Sequence, residues 1–194
     1  GLDARYLASA LGWGDRIVAI DMIGTPNHGT VVADVLSGTI TDGYVDPGIV
    51  DLATQAFSDI FGIGAGDQSL SDAMATLTPE GVDAINQASP DVPGIYYRSW
   101  AGHTCGSLEW ECQNDHADEV VEPLLEPLYL IPWTYGLPND GLVPVDSAIW
   151  GDYQGELNTD HLDEIGQFQD QNNPAFDHRS FYLNEVSFLA AMGF

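Results

Sequence analysis

Arg16-Ile17-Val18-Ala19-Ile20-Asp21-Met22-Ile23 is a short, β-branched and almost wholly apolar run, stopped by Gly24-Thr25-Pro26-Asn27-His28-Gly29. A parallel strand reads this way, because helices cover both faces of a parallel sheet. The glycine- and proline-rich stretch after Ile23 is a loop leaving the C-terminal end of that strand. Ahead of the strand, residues 2–11 read as a helix with Leu2, Tyr6 and Ala10 on one face. Helix, strand and loop in this order are the grammar of an α/β fold.

Further along, Thr30 to Leu36 reads as a helix and Asp46-Pro47-Gly48 as a turn. Ile49, Leu52, Ala53, Ala56, Phe57 and Ile60 recur at helical spacing. Gly62-Ile63-Gly64-Ala65-Gly66 interrupts them, and Ser69 to Leu77 forms another short helix. The insert at residues 30–80 has two readings, a mobile cap hinged by glycines or an ordinary pair of packing helices. Gly94 to Trp100 is an aromatic-rich strand. Residues 101–119 form a polar, acidic loop, and Glu122 to Trp133, apolar but carrying three prolines, fits neither helix nor strand cleanly. Leu162 to Phe168 is a short helix, and Asp177 caps a last one with Tyr182, Val186 and Leu189 on one face. No repeat or low-complexity linker interrupts the chain, so residues 1–194 read as a single domain.

Composition narrows the function. An apolar content of 44% supports a real core. No apolar run approaches the ~20 residues of a membrane-spanning helix, and no basic, apolar leader opens the sequence. Thirty acidic residues face four arginines and no lysine, a net charge of −26. Nucleic acid and anionic membranes would be repelled. The acids read mainly as a solvated, self-repelling surface suited to a saline habitat, with a local cation site as the alternative. Cys105 and Cys112 are the only cysteines, seven residues apart. They make a poor zinc site, and a short-loop disulfide in an oxidising compartment is a better reading than two unrelated thiols.

Asp140, in Asn139-Asp140-Gly141-Leu142-Val143-Pro144, and His161, in Asp160-His161-Leu162-Asp163-Glu164, carry the chemistry. An acid followed about twenty residues later by a histidine is the second half of the Ser…Asp…His order of α/β-hydrolases. A serine hydroxyl attacks only when a histidine takes its proton, and a buried carboxylate holds that histidine in the required tautomer. By itself one Asp-Gly turn with one histidine is weak evidence. No G-x-S-x-G occurs in the chain. Ser9, Ser71, Ser99 and Ser107 are poor substitutes, since none sits in a strand-turn-helix elbow.

Four segments resemble the bacterial secreted triacylglycerol lipases of the Pseudomonas/Burkholderia type, in that family's order. Gly1-Leu2-Asp3-Ala4-Arg5-Tyr6 resembles the stretch after the family's G-H-S-x-G. Ile23 to Thr30 resembles its I-G-T-P-H-x-G-S loop, and Asn139 to Val143 its catalytic aspartate segment. His161-Leu162-Asp163-Glu164-Ile165-Gly166-Gln167 resembles H-L-D-E-x-x-Q, which joins a catalytic histidine to a calcium ligand.

The resemblance implies a partial α/β-hydrolase fold whose residues 30–80 are a lid, exposing Ile49, Phe57 and Ile60 on opening. It implies a secreted enzyme hydrolysing water-insoluble lipid esters, with Asp140 orienting the base His161. It implies a structural calcium ion held by Asp163, by the carbonyls of Gln167 and Gln171, and by a second carboxylate. Asp118 fits the spacing for that carboxylate and Glu122 competes. It leaves room for a dedicated lipase folding chaperone. It also places the nucleophilic serine just ahead of Gly1, so the chain alone is expected to be inactive. The competing expectations are a carboxylesterase for soluble short-chain esters and a non-catalytic calcium-binding fragment. A local Cys105–Cys112 bridge departs from the family pattern.

Overall fold

The computed structural model describes residues 1–62, 68–109, 120–167 and 176–194. Three strands, β1 (Ala19–Ile23), β2 (Tyr96–His103) and β3 (Asp152–Asn158), pair in parallel in the order β1-β2-β3. Ala19 lies opposite Tyr96 and Ile23 opposite Trp100. The run that decided the fold is therefore a parallel strand, shortened at its start because Gly14–Arg16 coils into a 3-10 turn.

β3 went unforeseen. Its sequence, Asp-Tyr-Gln-Gly-Glu-Leu-Asn, has little of the β-branched content that marks a strand. Ser99 pairs with Tyr153 but Ala101 with Glu156, so two residues of β3 stand against Trp100 alone. Gly155, at φ +126°, takes up that irregularity.

The helices are α1 (Leu2–Ala8), α2 (Val31–Leu36), α3 (Pro47–Phe61), α4 (Gln68–Leu77), α5 (Pro79–Ala88), α6 (Glu126–Thr134), α7 (Val145–Ala148) and α8 (His178–Met192). Start signals explain where several begin. Asp46 accepts from Gly48 N–H ahead of Pro47, and Thr78 accepts from Gly81 N–H ahead of Pro79. α6 absorbs its prolines, with Pro127 in the first turn and Pro132 inside the helix. Leu125 beside it and Leu128 and Ile131 within it are completely buried, each contributing roughly 1.5–3 kcal/mol by leaving water.

α1 differs from its expected orientation. Tyr6 is exposed while Arg5 and Ala8 are buried. The burial of Arg5 is compensated. Its Nη1 donates to Asn86 Oδ1 at 2.9 Å, and its guanidinium lies 3.4 Å over the Trp150 ring. In α3 the face of Ala53, Ala56 and Phe57 is buried, while Leu52 points to solvent.

Two apolar clusters result. Ala8, Ile20, Met22, Ile95 and Tyr97 pack under α1. A larger cluster joins α2, α3, α6 and α7 to Ala101 of β2 and Leu162. Strand alternation puts Asp21, Arg98 and Trp100 on the other sheet face, where α8 packs through Phe181, Glu185 and Phe188.

Candidate active site

The C-terminal ends of the three strands converge on one place, where open parallel sheets bind ligands. Gly24 follows β1, Gly102 and His103 end β2, and Thr159-Asp160-His161 follow β3. Asp140 arrives there from the loop after α6. Thr104 N–H donates to the Asn139 carbonyl at 3.1 Å and ties that loop to the end of β2.

The Asn-Asp-Gly turn fixes Asp140 through its own backbone. Asn139 Oδ1 accepts from Gly141 N–H at 2.8 Å, and Gly141 adopts φ +100°. Asp140 is fully buried, and its Oδ1 accepts from the Leu142 and Val143 N–H groups at 2.8 and 2.6 Å. Its Oδ2 is left to accept from His161 Nδ1 at 2.8 Å. His161 N–H also donates to the Asp140 carbonyl at 2.8 Å. The two residues read from the sequence thus meet, the acid buried and the imidazole about one quarter exposed (27%).

Asp160 supports the histidine loop in the same manner. It is fully buried, its Oδ1 accepts from Leu162 and Asp163 N–H, and its Oδ2 accepts from Glu122 N–H. Glu122 therefore touches this loop through its backbone amide. Burial raises the Asp160 pKa, and these N–H groups offset only part of that rise.

Glu164 is the residue that sequence reasoning left without a role. It is buried, with Oε2 3.6 Å from His161 Nδ1. Gly24 and Gly102 make room for it: a Cβ at Gly24 would stand 2.1 Å from Oε2, and one at Gly102 2.6 Å from Oε1. Its place three residues after His161, on the same turn, was the available signal. Burial pushes the Glu164 pKa well up, the His161 charge pulls it down, and Asp140 pushes it up again. Burial alone would lower the His161 pKa, but the charge and hydrogen bond of Asp140, with Glu164 and Asp160 behind, raise it to about 9. Asp140, His161 and Glu164 could together hold a metal ion.

Of the expected calcium ligands, Asp163 is half-buried and Gln167 exposed on one turn, closed by Gly166 N–H to the Asp163 carbonyl and Gln167 N–H to the Leu162 carbonyl. Asp118 and Gln171 lie outside the described residues, as does Cys112.

Beside His161 opens a cavity of about 330 Å³, walled by Phe57 and Phe61 of α3, Met74 of α4, Thr30, and Leu142. The Phe57 and Phe61 rings lie 4.3 Å apart. Thr30 Oγ1 donates to the Leu142 carbonyl at 2.6 Å, and Ser147 donates to the Gly29 carbonyl, locking the loop after β1 to the Asp140 loop. Among the described residues, no hydroxyl group hydrogen-bonds the His161 ring.

A parallel sheet with a buried Asp–His pair at its strand ends is, in class, part of an α/β-hydrolase fold. Its homologues are proteins named triacylglycerol lipase. Triacylglycerol lipase 2 of Saccharomyces cerevisiae is 27% identical over 100% of this chain and 55% of its own length. The triacylglycerol lipase of Vibrio cholerae is 29% identical over 85% of this chain and 54% of its own. That of Pseudomonas fragi is 26% identical over 99% and 70%. The chain spans about half the length of the first two. Solved structures share the fold. Bacillus licheniformis lipase BlEst2 superposes with a TM-score of 0.54 at 19% identity, over 83% of this chain and 54% of that one. EstA from Clostridium botulinum gives 0.53 at 19%, over 88% and 53%. No protein-family model matches the chain.

Proposed function

We propose that this chain supplies the acid and the base of a secreted triacylglycerol lipase, hydrolysing water-insoluble carboxylic esters. The observation that carries the reading is the 2.8 Å Asp140–His161 hydrogen bond beside an apolar cavity. In the neutral imidazole, which the raised His161 pKa places in alkaline solution, Nδ1–H is held by Asp140 and Nε2 is the free basic nitrogen. It takes the proton of a serine hydroxyl as that oxygen attacks the ester carbonyl, then returns it to the leaving alcohol. In this reading the serine and the oxyanion-binding amides come from outside these 194 residues, and the chain alone is inactive.

The apolar cavity would receive the acyl chain. Residues 30–80, which supply its α3 and α4 walls, would be the lid, while residues 1–194 form one domain. Phe57 is buried and Ile49 and Ile60 half-buried against the core, the surface a lid would uncover at an oil–water interface.

A structural calcium ion belongs to the same reading. An all-oxygen donor set of Asp163, the Gln167 and Gln171 carbonyls, and Asp118 suits calcium's preference for oxygen. The bound ion would pin the loop bearing His161 and supply no chemistry of its own. Cys105 is fully buried and is not a free thiol, which supports a bridge to Cys112 and an extracellular location. Among the described residues no helix is long and apolar enough to cross a membrane. A lipase folding chaperone is a further partner to test.

The test is hydrolysis of emulsified triacylglycerol by the enzyme carrying this chain. His161→Ala should abolish turnover, and Asp140→Asn should lower kcat by about 10⁴-fold through the wrong tautomer. Undiminished activity in either variant removes the proposal. Calcium removal by a chelator should lower Tm, since a ligand bound only by the folded state stabilises it. An unchanged Tm would remove calcium from the reading.

A further inference from the structure

We infer that Asp140, His161 and Glu164 form an inhibitory site for a zinc-class dication, separate from the calcium site proposed at Asp163. Three observations carry it. His161 Nδ1 lies 2.8 Å from Asp140 Oδ2 and 3.6 Å from Glu164 Oε2. Ligands around a tetrahedral zinc with bonds of about 2.0–2.1 Å stand roughly 3.3 Å apart, so small movements close the set. Glu164 is 3% exposed, and its Oε1 is buried without a hydrogen-bond partner. Gly24 and Gly102 leave this carboxyl a cradle that any Cβ would fill.

Metal binding to buried ligands releases their protons, here the one on the Glu164 carboxyl as well as the one on His161 Nδ1. A dication with a neutral imidazole balances both carboxylates. The donor set selects the metal. Imidazole with carboxylates suits zinc, whereas calcium wants six to eight oxygens. The metal takes the place of the Nδ1 proton, which leaves to solvent. The remaining ring proton then sits on Nε2, so His161 has no lone pair with which to accept a proton from a nucleophile. The binding site rests on geometry alone; only its inhibitory effect rests on the proposed lipase reading.

The experiment is calorimetric titration of the full chain with zinc chloride, without substrate. One strong site is expected, lost in His161→Phe and weakened at least about tenfold in Glu164→Gln, with millimolar calcium not competing. His103, paired with Glu156 at 2.7 Å, is the rival ligand, so His103→Gln should leave the strong site intact. If Glu164→Gln does not fold, cobalt(II) added to the wild-type chain should shift and broaden the His161 ring resonances far more strongly than those of His103. No strong site, a site indifferent to His161→Phe, one that follows His103, or one that calcium displaces would each overturn the inference. Zinc binding with no effect on ester hydrolysis would count against the lipase reading and leave the metal site standing.

Discussion

At the scale of single residues, the site is held by backbone that only certain side chains allow. Gly102 is the clearest case. A Cβ there would stand 2.6 Å from Glu164 Oε1, 2.8 Å from Asp140 Cβ and 3.0 Å from the Thr159 carbonyl oxygen. Gly102→Ala should therefore destabilise the fold by about 1–3 kcal/mol, the usual cost of overpacking. Shortening the neighbour in Gly102→Ala/Glu164→Ala should recover part of that loss. Chemical denaturation of the two single variants and the double variant measures the coupling. Strictly additive losses would show that Glu164 does not occupy the space the glycine leaves. The pairing of Asp140 with His161 was legible because each sits in a short, recognisable motif. Glu164 and Asp160 stood in the same motif, but their work depends on what folds around them. Gly24, just after β1, and Gly102, far along the chain in β2, make room for Glu164, and the amide of Glu122 completes the shell of Asp160. No local pattern encodes those contacts.

At the scale of elements, the same division holds. β1, α2, α3 and α4 were legible from periodicity and punctuation. β3 was not, because its place in the sheet comes from pairing with β2 rather than from its own composition. α5 had a Thr-Pro start signal that went unused, and the prolines of α6 hid a helix whose burial compensates for them. α8 was read correctly as a helix, but its expected apolar stripe docks only in part, with Tyr182 and Leu189 half-buried. Val186 remains exposed. Docking runs through Glu185, whose Oε2 meets Arg98 Nη1 at 2.5 Å and accepts from Trp100 Nε1 at 3.3 Å. Asp21 lies behind, its Oδ2 3.9 Å from Arg98 Nη1. Burial, then the hydrogen bond and charge of Glu185, raise the Asp21 pKa to about 7, against the pull of Arg98. Tyr182 faces the same pocket, and its own pKa is pushed up to about 12, first by burial and then by Glu164 and Asp21. The folded state thus keeps an Asp21 proton that the unfolded chain releases near pH 4. Stability should fall as pH rises from about 4 to about 7 and then level off, because over that range the folded form binds more protons. Asp21→Asn should flatten that segment and raise stability at pH 8. Amide exchange across residues 178–192 at pH 5.5 and pH 8 reads the effect locally; equal protection at both would dismiss it.

At the scale of the whole molecule, charge is the dominant feature, and the structure sharpens what composition implied. The chain has four arginines against thirty acids. Two of the four, Arg5 and Arg98, are buried and engaged with Asn86, Trp150 and Glu185. Only Arg16 and Arg179 remain exposed to offset the acidic surface. Self-repulsion of such a surface opposes compactness. Salt screens it, since the Debye length shrinks from about 10 Å at 0.1 M to about 3 Å at 1 M. The Tm of the chain should therefore rise steeply between 0.1 and 1 M sodium chloride. The gain should slow once screening is nearly complete, and potassium chloride should match it at equal ionic strength. Replacing exposed acids by their amides, for example Asp51→Asn with Asp83→Asn, should raise Tm at low salt and shrink the salt response. A buried core holding the fold by itself would instead give a Tm indifferent to salt and to those amides. That result would assign the acids to solubility and leave the saline-habitat reading without support.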